Sequence, residues 1–163
     1  MTEGSEQFAG ARRVLFLCTG NFYRSRFAEH LFNHLAVEAG LRWRADSRGL
    51  AVERLAPGLG PIAGYATGAL AARGIEVEDW GRGPKPVSAE ALEDATLVVA
   101  LKESEHRPLL AERWPGWETK ATYWHVDDVD GMTPEEATDR IAAHVEELVD
   151  LLRAGDGADR KSV

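Results

Sequence analysis

Along the chain, short and mostly apolar runs alternate with longer segments in which apolar residues recur every three or four positions. Runs of about four to eight apolar residues favour strands covered on both faces, whereas the longer spacing favours helices with one buried face. The pattern predicts strands at residues 13–17, 41–47, 95–101 and 119–125. It predicts helices at residues 25–39, 62–73 and 88–93, a further helix between residue 102 and Trp114, and a last helix from Pro134 onward.

The start of the last helix carries three capping signals. Thr133 is placed to act as the N-cap, Pro134 suits the first helical position, and Glu136 completes a capping box. The apolar stripe predicted for this helix consists of Ile141, Val145, Leu148, Val149 and Leu152.

The alternation of strands and helices is typical of an α/β fold. We predict a single Rossmann-like domain at residues 12–153, with a four-stranded parallel sheet and helices on both faces. The polar residues 1–11 and 154–163 are predicted to be disordered tails. Since ligands of such sheets bind beyond the carboxyl ends of the strands, we expect Cys18, Ser47 and the acidic turn after the fourth strand to meet at one edge.

Length and charge limit the class of protein. A chain of 163 residues suits one domain with its own core, and a net charge of −8 disfavours non-specific binding to nucleic acid. No apolar run approaches the length of a membrane span, and the first residues lack the basic and apolar regions of a signal peptide. We therefore expect a cytoplasmic protein that binds neither nucleic acid nor membrane. The single cysteine excludes an internal disulfide and a metal site of four cysteines.

Phosphate chemistry is indicated by the loop between the first strand and the first helix, Cys18-Thr-Gly-Asn-Phe-Tyr-Arg24-Ser25. Backbone N–H groups and the positive end of the helix dipole favour an anion there. Gly20 and Asn21 tolerate the positive φ angles that a tight curl requires. The planar fork of Arg24 matches two oxygens of a phosphate and would close the ring of donors.

The same surroundings would activate Cys18 as a nucleophile. The loop N–H groups, Arg24 and the helix dipole stabilise a thiolate relative to the thiol, and Ser25 can donate a hydrogen bond to it. A nucleophile and an oxyanion cradle in one loop meet a requirement for attack on a bound phosphate. The alternative is that Cys18 is a small core residue at the end of a buried strand.

The chain from Cys18 to Glu29 resembles the signature Cys-x-Gly-Asn-x-x-Arg-Ser-Pro-x-Ala-Glu of the low-molecular-weight protein tyrosine phosphatases, a family related to the thioredoxin-coupled arsenate reductases. The resemblance implies hydrolysis of a phosphomonoester, on a protein or a small molecule, through a phosphocysteine intermediate. No metal or organic cofactor would be required, because Arg24 and backbone dipoles supply the charge. The residues expected around the phosphate are Thr19, Gly20, Asn21, Phe22 and Tyr23.

The resemblance extends to the support of this loop. Ser47 matches the serine of the family's Ser-Ala-Gly segment, which would support the phosphate loop by a hydrogen bond together with Asn21. An ordinary turn serine is the alternative. Arg82 and Lys85 lie in a loop that is basic in the family, where they would either attract an anion or simply be solvated.

The resemblance also implies a general acid that protonates the leaving oxygen and then activates water. In the family this is the Asp of an Asp-Pro-aromatic segment after the fourth strand. Alignment puts Asp128 there, with Asp127 and Asp130 as alternatives. The next two residues of this chain, valine and aspartate, replace the proline and the aromatic wall of a phosphotyrosine slot. Phe22 or Tyr23 would then have to supply that wall.

Two other functions remain alternatives. A non-catalytic module could bind phosphate or phosphopeptides through the same loop, and an arsenate reductase or redox sensor could use Cys18 with an external thiol. Tyr23 stands where many members have a second cysteine, so this chain cannot form a disulfide inside the loop, and Arg26 replaces the usual proline. A metal site at His30 and His34, four residues apart, lacks an obvious third ligand.

Overall fold

The computed structural model describes residues 11–77, 82–128 and 131–162. In chain order its elements are β1 (Arg12–Cys18), α1 (Arg24–Glu38), β2 (Trp43–Gly49), α2 (Gly64–Ala72), α3 (Ala89–Asp94), β3 (Leu97–Ala100), α4 (Glu103–Arg113), β4 (Thr122–Tyr123) and α5 (Pro134–Ser162), with short 3-10 turns at Val52–Arg54 and Trp117–Thr119.

The strands form one parallel sheet in the order β2-β1-β3-β4. The central strand, β1, is buried from Val14 to its end, as expected for a strand covered on both faces. Cys18 pairs with Gly49 of β2, and Leu17 pairs with Ala100 of β3. The carboxyl ends of these strands therefore meet at one edge, and the predicted α/β fold with a four-stranded parallel sheet is confirmed.

Helices cover both faces of this sheet. Val14 and Phe16 of β1 pack with buried residues of α1, α2 and α5. Leu15 and Leu17 face the opposite way and pack with residues of α3 and α4. Successive side chains of a strand point to opposite faces, so β1 contacts the helices on both sides of the sheet. Burial of each Leu, Val or Phe stabilises the fold by roughly 1.5–3 kcal/mol.

The edge strand β4 is shorter than predicted. It covers Thr122–Tyr123 rather than residues 119–125, because a 3-10 turn occupies Trp117–Thr119, where the strand was predicted to begin. Beyond β4 the chain stays against the end of β3, where the Val126 N–H donates to the Leu101 carbonyl at 2.8 Å. This contact carries Asp127 and Asp128 toward the edge where β1 and β2 end.

The helix α5 begins as predicted and ends later. The Glu136 N–H donates to Oγ1 of Thr133 at 3.2 Å, and the Thr133 N–H donates to Oε1 of Glu136 at 3.4 Å, so the capping box is formed. The helix continues to Ser162, and the tail predicted from residue 154 is helical instead. Extending a formed helix needs no new nucleation, so the polar composition does not end it. Residues 1–10 of the other predicted tail lie outside the described residues.

Within the described ranges, no helix has both the length and the apolar character needed to cross a membrane.

Candidate active site

The loop between β1 and α1 curls from Cys18, the last residue of the strand, to Arg24, the first residue of the helix. Asn21 has a φ of +53°, in the left-handed region, as the sequence predicted. Gly20 does not have a positive φ, so that part of the prediction is wrong. A Cβ at Gly20 would lie 2.7 Å from Cδ2 of Leu55, so a larger residue there would require the Leu55 side chain to shift.

The thiol of Cys18 is 3% exposed, and its Sγ lies 3.0 Å from Oγ of Ser25. Ser25 is buried in the first turn of α1, where its Oγ accepts a hydrogen bond from Nδ2 of Asn21 at 2.9 Å. Because a hydroxyl can accept and donate at once, the Ser25 hydrogen remains for the sulfur. The hydrogen bond predicted from Ser25 to Cys18 has the required geometry.

The guanidinium of Arg24 is almost fully buried and is held at one end. Nη1 donates to the Val126 carbonyl at 2.9 Å and to Oε1 of Glu105 at 3.3 Å, while Nη2 donates to Oε2 of Glu105 at 2.8 Å. These contacts use three of the five guanidinium donors. The Nε–H and the second Nη2–H form another edge, which has the spacing of two phosphate oxygens.

Glu105 and His106, in the first turns of α4, were not predicted as site residues. Oγ1 of Thr19 donates to Oε2 of Glu105 and lies 3.1 Å from Nε2 of His106. Nδ1 of the fully buried His106 accepts the Lys102 N–H at 3.1 Å, which places the ring proton on Nε2. Their position directly after β3, at the carboxyl edge of the sheet, is a signal by which the sequence could have identified them.

Two charges in this cluster are mutually stabilised. Burial opposes the charge of Arg24, but the neighbouring Cys18 and then Glu105 raise the pKa of Arg24 above its ordinary value. Burial would likewise raise the pKa of Glu105, but hydrogen bonds from His106, Arg24 and Thr19 hold it well below its usual range. Burial lowers the pKa of His106, which favours its neutral form. The site therefore contains a charged Arg24–Glu105 pair beside a neutral imidazole.

The loop is braced from behind by a chain of buried side chains. Nδ2 of Asn21 donates to Oγ of Ser47 at 2.9 Å, and Ser47 donates to Oε1 of Glu29 at 2.5 Å. Ser47 is thus in contact with the loop as the resemblance implied, rather than with solvent in a turn. Burial raises the pKa of Glu29 to about 7, although the Ser47 hydrogen bond and the charge of Arg82 oppose this.

Arginines complete this support. Arg82 donates from Nη1 to Oδ1 of Asn21 at 3.3 Å and from Nη2 to the Ser47 carbonyl at 3.0 Å. The Lys85 backbone N–H donates to the same Asn21 oxygen at 3.0 Å. Arg26, 0% exposed, donates to the carbonyl of Pro61 at 3.0 Å and to that of Arg82 at 3.1 Å. The side chain of Arg82 is thus tied to the loop instead of being solvated.

Two of the three candidate acids, Asp127 and Asp128, have different partners. Oδ2 of Asp128 lies 3.6 Å from Nη2 of Arg24, and its side chain is 46% exposed. Asp127 is instead paired with Nζ of Lys102. Asp130 lies outside the described residues, as does Val129.

Aromatic side chains flank the loop in a different arrangement from the one predicted. Tyr23 is buried, and its hydroxyl donates to the Pro134 carbonyl at 3.3 Å, so its ring is not an open wall. Burial, followed by the charge of Asp128, raises the pKa of Tyr23 to about 12. Tyr65 of α2, 45% exposed, packs edge to face on Tyr23 with ring centroids 4.8 Å apart. Phe22 is half-buried and packs on the core.

His30 and His34, the pair weighed as metal ligands, both lie on α1. Among residues 11–77, 82–128 and 131–162, no group of three or more His, Cys, Asp or Glu side chains is arranged to hold a metal ion. His34 lies 3.4 Å from Oε2 of Glu38, one turn along α1.

Known proteins are similar to this chain in both sequence and fold. The family model described as low molecular weight phosphotyrosine protein phosphatase matches residues 13–154. A protein-arginine-phosphatase of Bacillus subtilis (strain 168) is 30% identical over 107 residues, which make up 66% of each chain. A solved low molecular weight protein tyrosine phosphatase from T. tengcongensis is 29% identical with a TM-score of 0.72, covering 86% of this chain and 99% of that one. The YwlE arginine phosphatase from Geobacillus stearothermophilus is 25% identical with a TM-score of 0.69, covering 88% of this chain and 94% of that one.

These matches support phosphatase chemistry and do not favour the binding-module or reductase alternatives. The family model spans nearly the whole described sheet, including the loop that carries the cysteine and arginine of the signature. The chain accordingly belongs to the low-molecular-weight protein tyrosine phosphatase family, as a cysteine-dependent hydrolase of phosphoric monoesters.

Proposed function

We propose that Cys18, Arg24 and Asp128 are the catalytic residues of this phosphatase. The observation that carries the assignment is the convergence of three groups at one loop. Sγ of Cys18 lies 3.0 Å from Ser25 Oγ, Arg24 closes the loop, and Oδ2 of Asp128 lies 3.6 Å from the Arg24 guanidinium. Such a set combines a nucleophile, an oxyanion cradle and an acid.

In the first step the Cys18 thiolate attacks phosphorus. An S–P bond forms as the P–O bond to the leaving group breaks, and protonated Asp128 transfers its proton to the leaving oxygen. The Nε–Nη2 edge of the Arg24 fork and the backbone N–H groups of residues 19–23 hold the phosphoryl oxygens, and Ser25 stabilises the thiolate. Asn21 and Ser47 keep the loop in the curled form.

In the second step Asp128, now a carboxylate, takes a proton from water. The water oxygen attacks phosphorus, the S–P bond breaks, and inorganic phosphate leaves while the Cys18 thiolate is regenerated. Each proton and each bond is then accounted for without a redox partner, and Arg24 with the backbone dipoles supplies the charge stabilisation.

For the substrate, we propose phosphotyrosine on a protein. The support is aromatic surface beside the loop. The Phe22 carbonyl accepts the Ala63 N–H at 2.9 Å, which brings the start of α2 against the loop, and the exposed ring of Tyr65 follows in its first turn. Phe22 and Tyr65 would replace the aromatic wall that the acidic turn lacks.

Phosphoarginine is a second candidate, favoured by a separate observation. Two carboxylates, Glu105 and Asp128, lie 2.8 Å and 3.6 Å from Nη2 of Arg24, and a guanidinium leaving group is attracted by carboxylates whereas a phenyl ring is not. Relatives of this chain include proteins named arginine phosphatases. A higher kcat/KM for a phosphoarginine peptide than for the matching phosphotyrosine peptide would select this candidate; the reverse order would reject it.

The catalytic assignment is tested with para-nitrophenyl phosphate, without added metal and across pH. Cys18→Ser should abolish turnover, and Asp128→Asn should lower it by about 10²–10⁴, the usual contribution of a general acid. Activity that survives in Asp128→Asn would move the acid to Asp127 or Asp130. Phosphate binding without turnover in the wild type would contradict the mechanism.

We also propose a cytoplasmic location. Support comes from the nucleophile itself, because an attacking thiolate has to remain reduced, and reducing compartments maintain that state. Fractionation of cells that produce the protein would check this.

A further inference from the structure

The mechanism above does not use the ion pair between Lys102 and Asp127. Nζ of Lys102 donates to Oδ1 of Asp127, and the two side chains are 26% and 33% exposed. Lys102 lies between β3 and α4, and Asp127 directly precedes the proposed acid, Asp128. The pair therefore joins the end of the sheet to the residue beside the acid.

Backbone hydrogen bonds anchor the chain on either side of this point. Upstream, the Val126 N–H donates to the Leu101 carbonyl at 2.8 Å. Downstream, the Gly131 N–H donates to the Asp128 carbonyl at 3.0 Å. Between these two anchors, the side chain of Asp127 provides a third one through Lys102.

Asp127 also contacts the chain beyond the acid. A Cβ at Gly131 would lie 3.0 Å from Cβ and from Cγ of Asp127, so the Asp127 side chain lies between the Gly131 backbone and Lys102. With Asp127 held on that side, Asp128 projects toward the site, where its Oδ2 is 3.6 Å from Arg24. Lys102 thus contacts one of two adjacent carboxylates, while the other lies near the phosphate-binding arginine.

We propose that Lys102 is a positioning residue for the general acid, acting through its ion pair with Asp127. The inference rests on the proposed role of Asp128. Lys102 touches no reacting atom, so its loss leaves the attack of the thiolate on phosphorus intact. The loss of Lys102 moves Asp128 out of line with the leaving oxygen and thus impairs only the proton transfer.

Leaving groups of different acidity separate these two effects. Dinitrophenolate departs without a proton, whereas phenolate requires one, and kcat/KM reports on the step that expels it. We expect Lys102→Met and Asp127→Asn each to lower kcat/KM for phenyl phosphate by about tenfold, and to change it less than about twofold for 2,4-dinitrophenyl phosphate. The double variant should lose no more than either single variant, because all three remove the same contact.

The matched control is Arg107→Met, which removes a cation from an exposed pair with Glu103 on the same helix and should leave both substrates unaffected. Equal losses on both substrates, or additive losses in the double variant, would overturn the inference. If Lys102→Met does not fold, Asp127→Asn carries the same test. Asp128→Asn separates the two proposals. If its loss of kcat/KM is the same for both substrates, Asp128 is not the general acid. If its loss is larger for phenyl phosphate but the loss in Lys102→Met is not, only the role of Lys102 is rejected.

Discussion

Glu105 determines how the arginine of the phosphate loop is presented. Its two carboxylate oxygens bind Nη1 and Nη2 of Arg24, and this contact orients the guanidinium so that its Nε–Nη2 edge is available to a phosphate. Glu105→Gln keeps the size of the side chain but replaces one acceptor by a donor that faces Arg24. We expect kcat/KM for para-nitrophenyl phosphate to fall 10- to 100-fold, since a hydrogen bond to a charged group contributes about 1.5–3 kcal/mol.

Glu103→Gln is the matched control for that variant, because Glu103 lies on the same helix in an exposed pair with Arg107. Its kcat/KM should stay within about twofold of the wild type, as expected of an exposed pair. Similar losses in both variants would contradict a specific role for Glu105.

Glu29 makes the stability of the protein depend on pH. Its pKa is raised from 4.5 to about 7 by burial, so in this window the folded state binds more protons than the unfolded state. Stability contributed by the neutral carboxyl is therefore fully present below pH 4.5 and is lost as the pH rises through 7. Relative to Glu29→Gln, which stays neutral, the wild type should lose roughly 3 kcal/mol of unfolding free energy between about pH 4 and pH 8. Urea unfolding measures this; a difference between the two proteins that is constant with pH would contradict it.

At the scale of elements, the contact between β2 and the loop depends on the absence of a side chain. A Cβ at Gly49 would lie 2.6 Å from Cγ2 of Val52, 2.9 Å from the Thr19 carbonyl oxygen and 3.1 Å from the Asn21 nitrogen. Gly49→Ala should therefore push the loop away from the strand, destabilise the protein by about 1–3 kcal/mol and strongly reduce turnover. Thermal unfolding and activity assays would measure the two effects.

Gly68→Ala in α2 is the control for this substitution, because a Cβ there meets nothing within 4 Å. It should stabilise the helix by about 0.4–1 kcal/mol without changing turnover. If Gly49→Ala behaves like Gly68→Ala, the loop does not depend on close packing against β2.

The elements and the loop were predictable because their signals are local. The strand, the curl and the helix from Arg12 to Glu38 follow one another directly, and the contact of Cys18 with Ser25 spans seven residues. The supporting contacts were harder to predict. Arg24 meets Glu105 across 81 positions and Asn21 meets Arg82 across 61, and such pairs form only because separate strands end at the same edge. The shortening of β4 likewise depends on a turn that apolar patterning does not indicate.

For the whole molecule, the question is how a chain with a net charge of −8 retains an anion. The sheet brings together at one edge the N-terminus of α1, the guanidinium of Arg24 and the backbone of the loop, and these groups attract an anion locally whatever the total charge of the chain. A ligand that binds only the folded state stabilises it in proportion to the logarithm of its concentration. Inorganic phosphate should therefore stabilise the folded protein, although both the ligand and the protein carry a negative net charge.

At phosphate concentrations about 100 times its dissociation constant, the unfolding free energy should rise by about 2.7 kcal/mol and Tm by about 5–10 °C, relative to chloride of equal ionic strength. Arg24→Met and Arg107→Met each remove one positive charge, so both change the net charge from −8 to −9. Only Arg24→Met should abolish the phosphate-dependent shift, because Arg107 lies in an exposed pair on α4. An equal shift in both variants would mean that phosphate acts on the molecule as a whole and not at this loop. A shift lost only in Arg24→Met would assign the binding to the edge that the fold assembles.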